Sequence, residues 1–289
     1  MIKKVFAIFI GVSLLAACSS PETKEKKPIP MQEEPSGTVK EMSDQLSEEA
    51  EKFDFVLPSP LQIAAIFQRA GLNYKPDVTH DISLASNYNT EFKIAMNFGV
   101  YSADLSYCVL NGQSQNSIDY LNVVRDLSNR LGLSAIFETE PLLESFENNI
   151  NNRDSIVYIL GKLQRNLDLY LDENDVRYKS IIYFTGAWIE GIYIGSNSIA
   201  TRNRNAIANR LVEQLSLLEN LIKGLTNFPK KTQEYDEVIK LLESLKGDME
   251  KIAATGTEQE DGSVAFNVTE EDLSSLTAKV LDLRNYITK

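Results

Sequence analysis

The chain has 289 residues, of which 43% are hydrophobic, and 41 acidic side chains outnumber 29 Lys and Arg side chains to give a net charge of −12. This length can bury a substantial core, but the charge argues against binding to nucleic acids, whose phosphate backbone requires clustered basic side chains. The single histidine, His80, excludes metal sites that need two imidazoles, the two cysteines cannot form a disulfide framework, and we expect neither a metal nor another cofactor.

The first 17 residues have the pattern of an export signal. Two lysines precede an apolar run that is too short to span a membrane, and small residues follow it. Cys18 comes directly after a Leu-Ala-Ala triplet, and this arrangement resembles the bacterial lipoprotein box. We therefore predict a signal peptide over residues 1 to 17, and a lipidated Cys18 that carries diacylglycerol and acyl chains such as palmitate.

The residue after Cys18 predicts the membrane to which the lipid attaches. Ser19 stands there instead of Asp, which in lipoprotein sorting resembles the address of the outer membrane, and we expect the protein to face the periplasm. Removal of the first 17 residues takes away two lysines and no acids, so the net charge becomes −14. This charge repels anionic headgroups, so the lipid must hold the protein at the membrane.

Residues 18 to 44 are predicted to be a disordered tether. They are rich in Pro, Lys, Glu, Ser and Thr, and such a segment cannot bury enough apolar surface to offset its conformational entropy. With about 26 residues, its root-mean-square reach is on the order of 30 Å. We expect the folded body to stand away from the bilayer.

The rest of the chain predicts an all-α fold. Nearly every apolar stretch recurs at spacings of three and four residues and is longer than a typical strand. We expect a multi-helix bundle or an irregular array of α-hairpins with about eight to nine helices. Residues 45 to 200 would form the main helical domain, and residues 203 to 289 would form amphipathic helices packed on it.

The predicted helices follow in chain order from a Ser59-Pro60 start signal. They cover about residues 60–71, 90–110, 118–131, a shorter stretch that follows Pro141, 155–171, 176–195, 207–225, 238–252 and 269–287. The second and the sixth are apolar on most faces and should be central. Residues 111 to 117 are predicted to be a turn, and residues 255 to 267 to be a small hairpin or an exposed loop.

Acidic side chains lie within both of the helices that are predicted to be central. Asp104 has Tyr101 three residues before it and Tyr107 three residues after it, so the three share a helical face. Glu190 has Tyr193 three residues after it in the same way. Because burial of an unpaired carboxylate is costly, each must find a hydroxyl, a cation or a backbone donor.

Three interpretations of these carboxylates stay open. They are satisfied inside the core and fix the helix register, or they form the polar end of an aromatic cleft that holds a small ligand or a partner's basic group. That cleft would be lined by Tyr101, Tyr183, Trp188 and Tyr193. Alternatively, two carboxyl groups could catalyse hydrolysis, although nothing in the sequence fixes their separation and we predict no catalytic residue.

Three further features of the sequence carry expectations. Glycines in apolar helices cost about 1 kcal/mol each relative to alanine, and a close approach of helices is the expected compensation at these positions: Gly99, Gly186, Gly191 and Gly195. Cys108 lies in an apolar helix and is expected to be a buried, unreactive thiol. His80 lies in a polar segment and is expected to be solvated.

Three segments together resemble a set of uncharacterised all-helical lipoproteins of Gram-negative bacteria. They are the LPSP segment at 57–60, the GVYSADLSY segment at 99–107 and the GAWIEGIY segment at 186–193. The resemblance covers about residues 53 to 200. It implies a helical, lipid-anchored protein, and it carries over no activity and no catalytic residue.

The sequence therefore predicts a lipid-anchored lipoprotein of the cell envelope that acts as a binding or scaffold protein. Its expected partners are the membrane, through the lipid on Cys18, and either an envelope protein or a small ligand; nucleic acid is not expected. The alternative is an envelope enzyme that uses Asp104 and Glu190.

Overall fold

A computed structural model describes residues 57–138, 142–197, 204–259 and 264–289. The predicted signal peptide, the lipidation site Cys18 and the predicted tether therefore lie outside the described residues.

The fold is all-α, as the spacing of apolar residues predicts. The described residues form eleven α-helices, which are α1 Pro60–Arg69, α2 Glu91–Leu110, α3 Ser114–Arg130, α4 Ala135–Glu138, α5 Leu142–Asn148, α6 Arg153–Glu173, α7 Ser180–Asn197, α8 Arg204–Val212, α9 Leu215–Thr226, α10 Gln233–Ala253 and α11 Glu270–Thr288. Three short 3₁₀ helices cover Pro76–Val78, Ile82–Asn87 and Arg177–Lys179. An antiparallel pair of strands, β1 Thr257–Glu258 and β2 Val264–Ala265, connects α10 to α11.

Capping residues set the ends of several helices. The Ser59 hydroxyl accepts a hydrogen bond from the Gln62 backbone while the Gln62 side chain accepts one from Ser59, and Pro60 follows as the first helical residue. Thr269 and Asp272 form the same reciprocal capping box at the start of α11. Gly71 has a φ of 89° just beyond α1, in the left-handed conformation that favours glycine.

Several helix boundaries differ from the prediction, and two of these differences have a cause in the backbone. Helix α3 begins at Ser114 and not near 118, because the turn is complete at Gly112, which has a φ of 66°. The single helix predicted over 207–225 is divided into α8 and α9, since the Gln214 backbone N–H bonds Leu211 three residues back and tightens the chain there. This division and the four-residue α4 raise the helix count above the prediction.

Helices α2 and α7 are central and run parallel to each other. They share the largest interface between any two helices of the described chain. Lys179 just before α7 forms an ion pair of 2.8 Å with Glu91 at the start of α2, and the contacts then advance along both helices in the same direction, from Met96 and Gly186 to Asp104 and Glu190.

Two glycines allow the backbones of α2 and α7 to touch. A Cβ atom at Gly99 would lie 1.9 Å from the Tyr183 carbonyl oxygen, and a Cβ atom at Gly186 would lie 1.9 Å from the Met96 carbonyl oxygen. Neither backbone can move away without separating the two helices, so no other residue fits. The expected close approach of helices is confirmed at both positions.

Helix α1 packs against α7 at two further glycines. A Cβ atom at Gly191 would lie 2.6 Å from the Ile63 side chain, and one at Gly195 would lie 2.7 Å from the Phe67 ring. Both α1 side chains are almost fully buried, so these contacts attach α1 to α7.

Helix α11 closes the other side of the central pair. The Asn97 side chain donates a hydrogen bond of 2.7 Å to the Ile287 carbonyl oxygen, and Lys93, one turn earlier on α2, bonds the carbonyl oxygen of Lys289. These pairs show that α11 runs antiparallel to α2. On its other face, α11 packs against α10, where Lys279 forms an ion pair of 2.7 Å with Asp248.

Within the described ranges, no helix has both the length and the apolarity that crossing a bilayer would require.

We predict that G99A and G186A each destabilise the fold by at least about 3 kcal/mol or prevent folding, because each new methyl group would meet backbone and not a mobile side chain. The matched control is G247A, since a Cβ atom at this glycine in α10 meets nothing within 4 Å. G247A should stabilise the protein by about 0.5–1 kcal/mol. Urea unfolding measures the free energy of unfolding of all three variants. Wild-type stability in G99A would contradict the backbone contact.

Candidate functional site

The side chains of Asp104 and Glu190 meet in the centre of the fold. Asp104 lies five residues beyond Gly99 on α2, and Glu190 lies four residues beyond Gly186 on α7, so the parallel helices bring both to the same level. Both residues are 0% exposed, and their carboxyl groups lie within reach of a hydrogen bond to each other. Two ionised carboxylates that lie side by side inside a protein would repel each other strongly.

Arg284 of α11 supplies the only positive charge bonded to this pair among the described residues. Its Nε donates to Glu190 Oε2 at 2.6 Å, and its Nη2 donates to Glu190 Oε1 at 2.9 Å. The guanidinium also lies 4.0 Å from the centre of the Tyr193 ring. Burial opposes the charge of Arg284, but Glu190 holds its pKa above the usual value, and the bidentate geometry keeps Glu190 as a carboxylate.

The surroundings of Asp104 favour its protonated form. Its Oδ2 accepts a hydrogen bond of 3.0 Å from the His80 backbone N–H, whereas its Oδ1 accepts no hydrogen bond from a donor in the described residues. Burial, together with the charge of Glu190, raises the pKa of Asp104 well above its ordinary value. A proton on Asp104 that is donated to Glu190 satisfies both groups and leaves the trio of Asp104, Glu190 and Arg284 electrically neutral.

The expectation that His80 is solvated is wrong, because His80 is only 6% exposed. Its carbonyl oxygen accepts a hydrogen bond of 2.8 Å from the Tyr120 hydroxyl, and its Nε2 lies 2.7 Å from the Tyr88 hydroxyl. The Tyr101 hydroxyl donates at 2.8 Å to the next carbonyl oxygen, that of Asp81. These tyrosines and Asp104 hold the polar segment against the helices, which the composition of the segment alone does not indicate.

The His80 ring is neutral near pH 7. Burial and, after it, the positive charge of Arg284 lower the pKa of His80 from 6.5 to about 4. Burial also raises the pKa of its partner Tyr88 to about 12. The bond between the two rings is therefore one between neutral groups.

The remaining residues of the predicted site lie outside this cluster. The Tyr107 hydroxyl accepts a hydrogen bond of 2.7 Å from the Lys75 backbone, and Tyr183 packs edge-on against Phe98 at 5.4 Å. Trp188 is 0% exposed and its Nε1 has no hydrogen-bond partner in the described residues. The structure thus gathers Tyr101, Asp104, Glu190 and Tyr193, whereas no hydrogen bond or ring contact in the described part of the chain joins Tyr107, Tyr183 or Trp188 to the carboxyl pair.

A small apolar cavity lies beneath α1 and not at the carboxyl pair. Its lining includes Phe67, Tyr107 and Gly191, and its volume is about 10 Å³. A cavity of this size holds one water molecule at most. With both carboxyl groups fully buried, a substrate or small ligand cannot reach them in this conformation, and the geometry is that of a core pair whose charges are satisfied.

Cys108 lies on the same helix as Asp104 and is 0% exposed. Burial raises the pKa of its thiol. This environment is the one expected for an unreactive thiol.

The sequence analysis missed Arg284, the group that neutralises the pair. A signal for it is present: Arg284 lies four residues after Val280 and three residues before Ile287, both of which face the core. These spacings place Arg284 on the buried face of α11. A cation on such a face requires an acidic partner in the core.

A scan of the chain against protein-family profiles finds no match, and searches among curated proteins and among solved structures find none either.

We predict that R284M destabilises the fold by about 3–5 kcal/mol, because the Glu190 carboxylate loses its counter-charge in a dry site. The double variant E190M/R284M should lose much less stability than R284M and E190M lose in sum. It removes both charges and fills the space with side chains of similar volume. Thermal and urea unfolding of the three variants measure this coupling. Additive losses would contradict the buried ion pair.

Proposed function

We propose that this protein is a lipid-anchored lipoprotein of the cell envelope that acts by binding a partner protein. The Leu-Ala-Ala-Cys pattern that ends at Cys18 carries the proposal of an anchor. The sequence after it favours attachment to the outer membrane, facing the periplasm. The resemblance to helical lipoproteins of Gram-negative bacteria agrees with both points.

The burial of the carboxyl pair favours binding over catalysis. The envelope-enzyme alternative requires Asp104 and Glu190 to contact a substrate, but both are fully buried and Arg284 occupies the carboxylate of Glu190. Because Asp104, Glu190 and Arg284 stabilise one another in the core, we expect the binding function to lie on the surface of the folded body.

The outer face of α6 is the surface best suited to a partner. Tyr158 and Leu169 are 50% and 52% exposed, the highest values among the exposed large hydrophobic residues of the described chain. With Lys162 and Arg165 they follow one another at spacings of four, three and four residues, which places all four on one face. That face points away from the core, because Ile156 and Leu167 on the opposite side of the helix are buried.

The charge of this face selects the kind of partner. Two cations lie between two apolar side chains on a protein whose net charge is −12, and the Lys162 ammonium lies 5.8 Å from the centre of the Tyr158 ring. Tyrosine and arginine are enriched among the residues that contribute most to protein interfaces. The complementary partner is a protein surface that presents carboxylates beside an apolar patch.

The anchor is tested by C18S. The variant should appear in the soluble fraction or remain unprocessed, because it has no sulfur to carry the lipid. Fractionation and intact mass of the exported protein measure this. Wild-type membrane association of C18S would contradict the proposed anchor.

The binding face is tested with a photo-crosslinking residue at position 158 in living cells. One discrete partner should be captured, and K162E/R165E should abolish the capture by reversing the charge of the face. The matched control is K230E/K231E, which reverses two exposed lysines in the loop between α9 and α10 and should leave the capture unchanged.

A second crosslinking position separates the outcomes. A probe at the exposed Ser274 of α11 should not capture the same partner. Equal capture from both positions, capture that survives K162E/R165E, or adducts with lipid instead of protein would each contradict the proposed binding face.

A further inference from the structure

The core of this protein holds two titratable side chains in protonation states opposite to those of the unfolded chain at mildly acidic pH. Asp104 lies beside the Glu190 carboxyl group, whose two oxygens bind the Arg284 guanidinium, and Asp104 Oδ1 has no donor among the described residues. His80 is enclosed by tyrosines, and the positive charge that acts on its ring is that of Arg284. An acid here favours its protonated form, and a base here favours its unprotonated form.

We infer that folding moves one proton from His80 to the Asp104–Glu190 pair, so that these groups together leave the stability of the fold unchanged across mildly acidic pH. The protons balance: the unfolded chain has a His80 imidazolium and an Asp104 carboxylate, and the folded chain has a neutral imidazole and a protonated Asp104. The inference concerns the core alone and is independent of the proposed binding face.

His80 alone would make the protein less stable in acid. Below pH 6.5 the unfolded chain binds a proton at His80, whereas the folded chain does so only near pH 4. The folding equilibrium constant would therefore fall roughly tenfold for each pH unit between these values.

Asp104 alone would have the opposite effect. Above pH 3.8 the unfolded chain loses the proton of Asp104, whereas the folded chain keeps it to a much higher pH. The folding equilibrium constant would rise roughly tenfold for each pH unit as the pH falls. At a pH where both effects operate, they have equal slopes and opposite signs.

Between about pH 4 and 6.5, each of the other groups around the pair either stays neutral or keeps its charge. Burial raises the pKa of the neighbouring tyrosine hydroxyls, so they remain neutral. Arg284 remains a cation. Burial raises the pKa of Glu190, and the charge and hydrogen bonds of Arg284 act against that rise, so that the pair holds a single proton. Asp81 is exposed, and hydrogen bonds from Ser83 lower its pKa. Among the described residues, the charged and titratable groups that face His80 and Asp104 are Asp81 and Tyr88 of the His80 segment, Tyr101, Tyr107 and Cys108 of α2, Tyr120 of α3, Glu190 of α7 and Arg284 of α11.

The first test needs no variant, because His80 is the only histidine of the chain and its Cε1 proton therefore gives a single resonance in an NMR spectrum. In the folded full-length protein this resonance should not shift between pH 7.5 and 5. After unfolding in urea it should titrate near pH 6.5, the ordinary value for histidine. A midpoint near 6.5 in the folded protein would overturn the inference.

The second test separates the two groups with isosteric variants. In D104N the amide can donate to Glu190 and accept from His80, so the variant mimics the protonated acid. In H80Q the side-chain amide can reach the Tyr88 hydroxyl in place of the imidazole Nε2. Urea unfolding at pH 4.5, 5.5 and 6.5, compared with wild type at each pH, cancels the contributions of the other carboxyl groups.

The variants should change the pH profile in opposite directions. Relative to wild type, the folding constant of D104N should fall roughly tenfold for each pH unit below 6.5, that of H80Q should rise by the same factor, and the double variant should return to the wild-type slope. If both single variants keep the wild-type slope, or if both change it in the same direction, the inference is wrong.

Discussion

The contact between the backbones of α2 and α7 at Gly99 and Gly186 is the constraint on which the rest of the structure depends. The two helices can be parallel and this close only because neither glycine has a side chain. The same contact sets the level at which Asp104 and Glu190 meet, about one turn farther along each helix. A pair of carboxyl groups is thus built into the centre of an apolar interface, and the remaining elements must accommodate it.

The protein accommodates the pair with one proton and one guanidinium. Each of the two carboxyl groups then holds a different covering element: Glu190 binds α11 through Arg284, and Asp104 binds the segment around His80. A well-packed apolar pair at these positions would cost less desolvation, so the polar cluster contributes more to the choice of one arrangement than to its stability. Because Asp104, Glu190 and Arg284 attach these elements to the central helices, we place the proposed function elsewhere, at the lipid on Cys18 and on the outer face of α6.

The sequence predicted the helices and the burial of the carboxyl groups, since apolar spacing and capping residues are local signals. It also indicated that Gly99 and Gly186 lie where helices approach. It could not predict that these two glycines face each other, nor that Arg284, 94 residues from Glu190 in the sequence, is the counter-charge, because such pairings depend on how distant helices pack. The burial of His80 was missed for the same reason: tyrosine hydroxyls that belong to α2 and α3 bond the backbone of its segment and hold the His80 side chain in the core.

The central claim is that the carboxyl pair is a sealed structural unit with a single proton. Neutron diffraction from a crystal exchanged into D₂O at pH 7 tests it directly, because deuterium positions are visible. The account predicts one deuterium on Asp104 that points at Glu190, none on Glu190, and one on the His80 imidazole. A pair without deuterium, with a cation or a column of water reaching it from the surface, would contradict the account and would restore the pair as a candidate binding site.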